Sequence, residues 1–422
     1  MTSRQDAAGT STYGYDRGRL KTVTDGITGA RQTLGYDAAG MPKTVDYGAG
    51  RVRTFGYDDY GRLTSDDLKN DTGQTMASVG YEYDLNNRMT RKATTGTADA
   101  GENTYTYDHA GRLTSWQTDG KTIPYGWDDS GNRVRNGDKT ATYDARNRLI
   151  SDGDHDYTYS PRGTLATRTN SGLTESFSFD AFDRLISGNE ETYVYDGLDR
   201  VSSRNGVSFQ YAGLENDPVS DGTASYARDP AGELLAVAEG VTKRLTLSDR
   251  HGDITATLDP ASTSGPAEST AYSPFGEVIA RSATAAPGNI GYQGDWTDPS
   301  TRNVNMGARW YNPGTGGFVS RDTVEYTGGD SILANRYTYA AGTPLTFDDP
   351  TGNWPSCGWC KKTFKAVNKW VIQPAYKYVV RPLVSAARSA FKPLVDLAKS
   401  AARKAKQAWN GIKQTVSSWS PP

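Results

Sequence analysis

Cysteine can bind a metal ion or take part in thiol–disulfide exchange, and histidine can bind a metal ion. Cys357 and Cys360 form a CGWC motif in the C-terminal region. A zinc site would need two more ligands, whereas the three histidines, His109, His155 and His251, lie far upstream. We therefore expect a local disulfide or two free thiols at this motif, with neither a metal site nor a cofactor.

The segment just before this motif carries a second kind of reactive side chain. It reads RDTVEYTGGDSILANRYTYAAGTPLTFDDPTGNW over residues 321–354. Asn353 could attack its own backbone carbonyl, form a succinimide and break the bond to Trp354. The acidic residues of the segment include Asp322, Asp348 and Asp349. From their residue type alone, these carboxylates are expected to cap tight turns.

The elements that must position these side chains are indicated by a repeated phrase, a motif of about seven residues that typically begins Tyr-Asp and ends Arg-Leu. It recurs as YDRGRL at Tyr15, YDAAGM at Tyr36, YDDYGRL at Tyr57, YDLNNRM at Tyr83, YDHAGRL at Tyr107, WDDSGNRV at Trp127, YDARNRL at Tyr143, YSPRGTL at Tyr159, FDAFDRL at Phe179 and YDGLDRV at Tyr195. The starts are about twenty residues apart, which marks an array of small supersecondary units.

Each copy of the phrase predicts a β-hairpin. Residues before the Tyr alternate in polarity, as in TYTYD from Thr104, which is the period of a half-buried strand. The Asp caps the turn, the Gly or Asn that follows accepts a left-handed conformation, and the Arg-Leu pair begins the return strand. We expect Tyr and Leu to pack on one face, and Arg to pair with a neighbouring Asp or to lie on a Tyr ring. Because one hairpin is marginal in water, the copies must stack into a long sheet.

Composition and charge divide the chain near residue 353. Only 35% of the 422 residues are hydrophobic, and the 46 Gly and 26 Tyr favour a mainly β fold of short strands and tight turns. Residues 1–353 carry 34 Lys and Arg against 48 Asp and Glu, whereas residues 354–422 carry 13 against one. The protein is thus an acidic body followed by a basic tail.

The tail predicts a short α-helical segment. From Leu383 to Ile412 apolar residues fall three or four apart, with basic residues mostly on other faces. It is interpreted first as a helical linker or pre-toxin segment, second as a membrane-active helix, and third as a nucleic-acid-binding segment that would depend on charge alone. Nucleic acid is not an expected partner of the body.

The repeated phrase resembles the YD repeat of the RHS/YD-repeat family, which occurs in bacterial RHS polymorphic toxins, in the C component of insecticidal Tc toxins and in teneurins. LSDRHGDITATLD from Leu247, YSPFGE from Tyr272 and GYQGDWTDPSTRNVNMGARWYNPGTGGFVSRD from Gly291 resemble segments that follow the repeats in that family. The resemblance implies a hollow, spiral β-shell plugged at its end by a core domain. The expected domains are a repeat array over 1–245, an RHS core domain over 246–353 and the basic helical segment over 354–422.

The resemblance also implies self-cleavage. Many members cut themselves after a pattern that ends in DPxG, by means of an aspartic-protease pair, and this chain matches at Asp322 and Asp349. Two close carboxylates cannot both ionise, so the charged one activates water while the protonated one polarises the scissile carbonyl. Arg321 is expected to hold a carboxylate or the oxyanion, and Asp348 is an alternative partner. The expected cut lies between Asn353 and Trp354, by this pair or by Asn353 cyclisation.

The function that follows from the resemblance is that of an RHS-type polymorphic toxin fragment. Its shell would enclose its own C-terminal segment as cargo, cut it free in a single turnover, and involve an immunity protein and a secretion apparatus as further partners. The alternative is a surface or adhesion protein that binds a glycan, a receptor or a membrane surface without cleavage. A decayed remnant without activity is a third alternative. The first residues lack the apolar stretch of a signal peptide, so we expect a fragment of a longer secreted or cell-surface protein.

Overall fold

The computed structural model describes residues 1–98, 100–324, 334–349 and 351–353, together with the backbone of residues 356–357. The chain divides into two compact units, residues 1–361 and 362–422. The second unit, and with it the predicted amphipathic helix, lies outside the described residues. The first unit consists almost entirely of antiparallel strands, which confirms the predicted mainly β fold.

Strands that follow one another in sequence are neighbours in space throughout the first two sheets. The first sheet contains β1 (Ser3–Asp6), β2 (Gly9–Asp16), β3 (Arg19–Thr24), β4 (Arg31–Tyr36), β5 (Pro42–Asp46), β6 (Val52–Tyr57), β7 (Leu63–Lys69), β8 (Thr75–Tyr83), β9 (Met89–Thr95), β10 (Gly101–Tyr107), β11 (Leu113–Thr118), β12 (Lys121–Trp127), β13 (Arg133–Asn136) and β14 (Lys139–Thr140). The second contains β15 (Thr142–Tyr143), β16 (Leu149–Ser151), β17 (Asp156–Tyr159), β18 (Leu165–Asn170), β19 (Leu173–Phe179), β20 (Leu185–Gly188), β21 (Glu191–Tyr195), β22 (Val201–Arg204) and β23 (Val207–Ser208).

The later strands form smaller sheets. The third sheet contains β24 (Gln210–Tyr211), β25 (Pro218–Ser220), β26 (Ala224–Arg228), β27 (Leu234–Glu239), β28 (Thr242–Ser248), β29 (Ile254–Leu258), β30 (Glu268–Tyr272) and β31 (Val278–Arg281). The fourth contains β32 (Trp296–Thr297), β33 (Val304–Met306), β34 (Arg309–Asn312) and β35 (Gly317–Phe318), and β36 (Phe347–Asp348) pairs with β37 (Ser356–Cys357). Two short 3-10 helices span Tyr292–Gly294 and Tyr339–Gly342. The predicted domain boundary at residue 245 falls within β28, and that division stays a prediction.

The turn at Asp108 shows how the repeated phrase folds. Tyr107 pairs with Leu113 across five loop residues, with a β-bulge at the last pair. The Asp108 carboxylate accepts the backbone N–H of Arg112 at 2.9 Å and its side-chain Nε–H at 2.7 Å. Gly111 has φ +87°, a conformation that an L side chain rarely adopts. The predicted hairpin, its capping Asp and its left-handed glycine are confirmed.

Each turn is also tied to its neighbours. Arg112 donates to the backbone oxygen of Asp128 in the next turn at 2.9 Å and lies over the Trp127 ring at 5.8 Å. The Tyr107 hydroxyl donates to the Met89 oxygen of the preceding repeat at 2.6 Å. Both predicted roles of Arg are therefore present, since Arg pairs with the Asp of its own turn and lies over the aromatic ring of the next turn.

The buried face of the sheets consists of the tyrosines inside the strands and the Leu, Met or Val that begins each return strand. This face includes Leu63, Tyr81, Met89, Tyr105, Leu113, Tyr125, Leu149, Tyr157, Leu185, Tyr193 and Val201. Burying a Leu or an aromatic side chain contributes about 2 kcal/mol relative to exposure. No single hairpin could hide these rings, so the stacking of copies is what stabilises the fold.

The region after residue 290 packs on the strands of the repeats. Arg133 donates to the Gly314 oxygen at 2.7 Å, Tyr337 donates to the Gly163 oxygen at 2.8 Å, and Tyr193 donates to the Asp298 carboxylate at 2.8 Å. These contacts join the fourth sheet and the segment after it to the first and second sheets. They fix the position of the strand that carries Arg309.

Candidate functional site

One buried guanidinium brings together the two aspartates that were predicted as a pair. Arg309, the first residue of β34, places its Nη2 atom 3.0 Å from Asp322 Oδ2 and 3.2 Å from Asp349 Oδ2. Asp322 lies shortly after β35, and Asp349 follows β36 directly. The segment therefore folds back as the pairing requires, although the two residues are far apart in sequence.

Arg309 is held from every side. Its side-chain exposure is only 6%, and its guanidinium lies 3.6 Å from the centre of the Phe318 ring. It donates to the backbone oxygens of Arg336, at 2.8 Å, and of Gly352. Burial lowers the pKa of Arg309 from its ordinary value, whereas the charges of Asp322 and Asp349 oppose that effect. The cation is thus fixed between two carboxylates and two backbone carbonyls.

Asp322 is the carboxyl of this site that binds a proton more readily than usual. Burial raises the pKa of Asp322 most, Arg309 opposes this effect, and the charge of Asp349 adds to it. The backbone N–H of Asp322 donates to the Arg336 oxygen at 3.0 Å, and the N–H of Val324 donates to Asp322 Oδ1 at 2.8 Å. One proton shared by two carboxyls, with Arg309 balancing the remaining charge, is the state that aspartic hydrolysis needs.

Asn353, the residue expected before the cut, contacts both aspartates. Its backbone N–H donates to Asp349 Oδ1 at 3.0 Å. In the orientation that satisfies both of its amide atoms, its side-chain nitrogen donates to Asp322 Oδ1 at 3.2 Å and to the Gly352 oxygen at 3.1 Å. The Gly352 carbonyl accepts hydrogen bonds from Arg309 and Asn353, so both sides of the Gly352–Asn353 bond are polarised.

The residues before Asn353 pack against the turn between β33 and β34. The N–H of Ala308 donates to the Thr351 oxygen at 3.0 Å. Gly352 has φ +71°, and a Cβ added there would lie 2.3 Å from the Met306 oxygen and 2.8 Å from the Arg309 nitrogen. Only glycine allows this close approach, which presents Asn353 to the two carboxylates.

The other predicted site residues lie elsewhere. Arg321 is exposed and lies beside Gly163 on the second sheet, so the cation that contacts both carboxylates is Arg309 and not Arg321. Asp348 is fully buried on β36, where its charge acts on His251 and Tyr339. Trp354 lies outside the described residues, as does Cys360, and only the backbone of Cys357 is described.

Sequence reasoning missed the role of Arg309. Its signal was an arginine inside the hydrophobic alternation of NMGARWYN, at a strand position where neighbouring side chains are buried. A charged residue there needs buried partners, which are the carboxylates of this site.

The described part of the chain contains no group of three or more His, Cys, Asp and Glu side chains that could bind a metal ion. Within the same residues, no helix has the length and hydrophobicity needed to cross a membrane.

Known proteins resemble this chain in sequence and in fold. The tRNA3(Ser)-specific nuclease WapA of Bacillus spizizenii is 30% identical over 142 residues, and the tRNA nuclease WapA of Bacillus subtilis is 29% identical over 142 residues. Each match covers 33% of this chain and 6% of the relative. The chain therefore spans only a small part of the length of these relatives.

Solved structures share the fold at low identity. The crystal structure of TcdB2-TccC3-Cdc42 matches with a TM-score of 0.58 and 17% identity, over 85% of this chain and 22% of that one. The Tc holotoxin pore of Photorhabdus luminescens, with the mutation TccC3-D651A, matches with a TM-score of 0.58 and 17% identity, over 82% of this chain and 21% of that one. The described unit thus shares its fold with about a fifth of each of these longer chains.

The profile of the Teneurin YD-shell family matches residues 52–345, which is more than half of the chain. This range contains most copies of the repeated phrase as well as Arg309 and Asp322. The chain belongs to the RHS/YD-repeat family, and its body has the fold of a Teneurin YD-shell.

Proposed function

We propose that this chain is part of a toxin shell that encloses the basic segment over residues 354–422 and cuts the chain after Asn353. The observation that carries the proposal is that Asp322 and Asp349 both contact Arg309, while Asn353 is hydrogen-bonded to both carboxylates. A structural ion pair would explain the two carboxylates. It would not explain why the backbone next to the expected cut is bound by the same groups.

The proposed reaction is a single hydrolysis with defined roles for these residues. The ionised carboxyl, assigned to Asp349, takes a proton from water, whose oxygen attacks the scissile carbonyl. Protonated Asp322 donates its proton to the carbonyl oxygen, and Arg309 keeps the two carboxyls together and balances their remaining charge. Asp349 then gives its proton to the leaving nitrogen and Asp322 takes one back from the intermediate, whose collapse leaves a carboxyl on Asn353 and an amine on Trp354. The chain thus consumes one water and works once.

The wider assignment concerns partners and location. The acidic body and the basic tail suit a shell and its cargo. The similar proteins include a Tc holotoxin pore and tRNA nucleases, which supports a toxin context. We therefore propose that the protein is secreted or displayed at a cell surface, and that an immunity protein and a secretion apparatus are its further partners. The proposed domains are the repeat array over 1–245, the core domain over 246–353 and the basic segment over 354–422.

Intact mass of the expressed full chain tests the cut. Two products that meet between Asn353 and Trp354 support the proposal, and products shifted by the mass of one asparagine would assign the cut to the Gly352–Asn353 bond. Asp322→Asn and Asp349→Asn are expected to leave the chain whole. Asp348→Asn is the matched control, because the Asp348 carboxylate is next to Asp349 in sequence but acts on His251 and Tyr339. This variant should still be cleaved.

The same series separates the two mechanisms. Asn353→Leu retains the aspartic pair and removes the side chain that cyclisation requires. Cleavage of this variant together with intact Asp322→Asn supports the aspartic route, whereas the reverse pattern supports cyclisation. A wild-type chain that stays whole after prolonged incubation contradicts self-cleavage by either route.

A further inference from the structure

Residues 335–338, just before the second 3-10 helix, lie on two turns of the repeats, and we call them the docking segment. Its side chains donate four hydrogen bonds to these turns, namely from Asn335 to the Ser130 oxygen at 3.0 Å and to Asn132 Oδ1 at 2.7 Å, from Thr338 to the Gly131 oxygen at 2.9 Å, and from Tyr337 to the Gly163 oxygen at 2.8 Å. Three of the four acceptors are backbone carbonyls, so the docking segment binds the folded shape of the turns.

The turn between β17 and β18 has a glycine where other turns have Asn or Asp. Gly163 has φ +90°, but a left-handed conformation does not by itself require glycine, because Asn or Asp adopts one at the same position in four other copies, namely Asn87, Asn147, Asp183 and Asp199. Gly163 is buried, whereas those four residues are exposed or half-buried. A Cβ added at Gly163 would lie 2.5 Å from the Tyr337 hydroxyl oxygen. The close approach of the docking segment is therefore what requires glycine here.

The docking segment contains an acceptor that two residues of the candidate site share. The Arg336 oxygen accepts the backbone N–H of Asp322 at 3.0 Å and the Nη1–H of Arg309 at 2.8 Å. Arg336 lies between Asn335 and Tyr337, whose side chains are bound to different turns, and the Tyr337 N–H donates to Asn335 Oδ1 at 3.0 Å. Because both neighbours are fixed, the Arg336 carbonyl cannot turn away without breaking a contact with the repeats.

A second connection joins the same repeat turn to the strand before the first aspartate of the site. Thr164, which follows Gly163, forms an antiparallel bridge with Ser320. The Phe318 N–H donates to the Tyr337 oxygen at 2.9 Å, and the Phe318 ring covers the guanidinium of Arg309. The backbone on both sides of the candidate site is thus attached to the turn between β17 and β18.

We propose that the turn between β12 and β13 and the turn between β17 and β18 position the site of self-cleavage, with Asn132 and Gly163 as positioning residues. The inference rests on the proposed function, because it concerns the same pair of aspartates. The turns hold the Arg336 carbonyl, which in turn holds Asp322 and Arg309 in place. Since a displacement of about 1 Å slows a reaction by about 100-fold, the chain should cut itself only when these repeats are folded beneath the docking segment.

Hydrogen exchange of the full chain tests the docking separately from cleavage. Gly163→Ala adds one Cβ, which meets the Tyr337 hydroxyl. The amides of Phe318 and Asp322 donate to carbonyls of the docking segment, so they are expected to exchange about tenfold faster in this variant. Gly172→Ala is the matched control, because Gly172 has φ +83° in another turn of the second sheet, but its Cβ would meet no other part of the described chain within 4 Å. It should leave both amides unchanged.

Cleavage of the same variants tests the positioning role. Gly163→Ala is expected to slow the conversion from one band to two by about 100-fold, whereas Gly172→Ala should cleave at the wild-type rate. Tyr337→Phe keeps the ring and its edge-on contact with Tyr159, at 5.9 Å between centroids, and removes only the hydroxyl. Combined with Gly163→Ala, it removes the atom that the new Cβ meets. The double variant should therefore cleave faster than Gly163→Ala, whereas two independent losses of stability would add.

This inference and the proposed function fail in different ways. A wild-type chain that stays whole contradicts cleavage, and the exchange of the Phe318 and Asp322 amides still decides whether the turns hold the site. Wild-type exchange in Gly163→Ala overturns the inference, as does wild-type cleavage of that variant or a double variant that cleaves no faster. Should Gly163→Ala fail to fold, unchanged exchange and unchanged cleavage in Tyr337→Phe would overturn it instead.

Discussion

At the scale of single residues, the properties of the candidate site depend on the proton of Asp322. The raised pKa of Asp322 means that this carboxyl stays protonated at higher pH than an exposed Asp, and it loses the proton as the pH rises further. Aspartic cleavage should therefore slow as the pH rises and Asp322 loses its proton. Succinimide formation by Asn353 is promoted by base, so it should accelerate over the same range. The half-time of conversion from one band to two, followed from pH 5 to pH 9, distinguishes the two trends.

Arg309 offers a second prediction at this scale. Lysine has the same charge but only three N–H donors on one atom, too few for the two carboxylates and the Gly352 and Arg336 carbonyls that the planar guanidinium binds. Arg309→Lys is therefore expected to slow cleavage by about 100-fold, the order of loss that a small misplacement of the reacting groups causes.

The matched control for Arg309→Lys is Arg321→Lys, since Arg321 is exposed. It should cleave at the wild-type rate. Equal slowing of both variants would contradict the role given to Arg309. Circular dichroism before the assay establishes that each variant is folded.

At the scale of elements, the hairpins are held together by the residue that begins each return strand. Leu113 is fully buried against the Tyr and Trp rings of its own and adjacent hairpins, whereas Leu85, in the turn between β8 and β9, is 95% exposed. Leu113→Ala should lower the free energy of unfolding by about 2–5 kcal/mol, because it removes buried methyl groups and leaves a cavity. Leu85→Ala should change it by less than about 0.5 kcal/mol. Urea denaturation measures both, and similar losses would contradict the stacked arrangement.

The turn pattern at this scale explains how far the sequence was informative. A copy such as Tyr107–Leu113 contains all that its hairpin needs, so strand, cap, left-handed glycine and the two roles of Arg could be predicted from it. The turns at Asp229 and Asp249 have the same backbone bonds but carry Glu233 and Asp253 where the phrase has Arg. Because the side-chain signal had changed while the backbone had not, these hairpins could not be recognised as copies of the phrase.

At the scale of the whole molecule, the separation of charge leads to a prediction about the cleaved product. If cleavage occurs, the segment from Trp354 carries 13 basic residues and one acid, and the body has an excess of acids. The two products should elute together at low ionic strength and separate in about 1 M salt, where the screening length falls to about 3 Å. Size-exclusion chromatography with mass detection measures this, and separation at low salt would contradict a shell that retains its cargo.

What the sequence determined by itself is the β-hairpin repeat, its buried Tyr and Leu face, the change of charge near residue 353 and the candidate aspartates. Each of these depends on residues that are close in sequence, or on a pattern repeated often enough to be unmistakable. Only the tertiary structure decided that Arg309, and not Arg321, joins Asp322 to Asp349, and that Gly352 brings Asn353 to both. Those contacts join β34 to segments far along the chain, and a buried cation selects its partners by where the backbone brings them and not by their spacing in sequence.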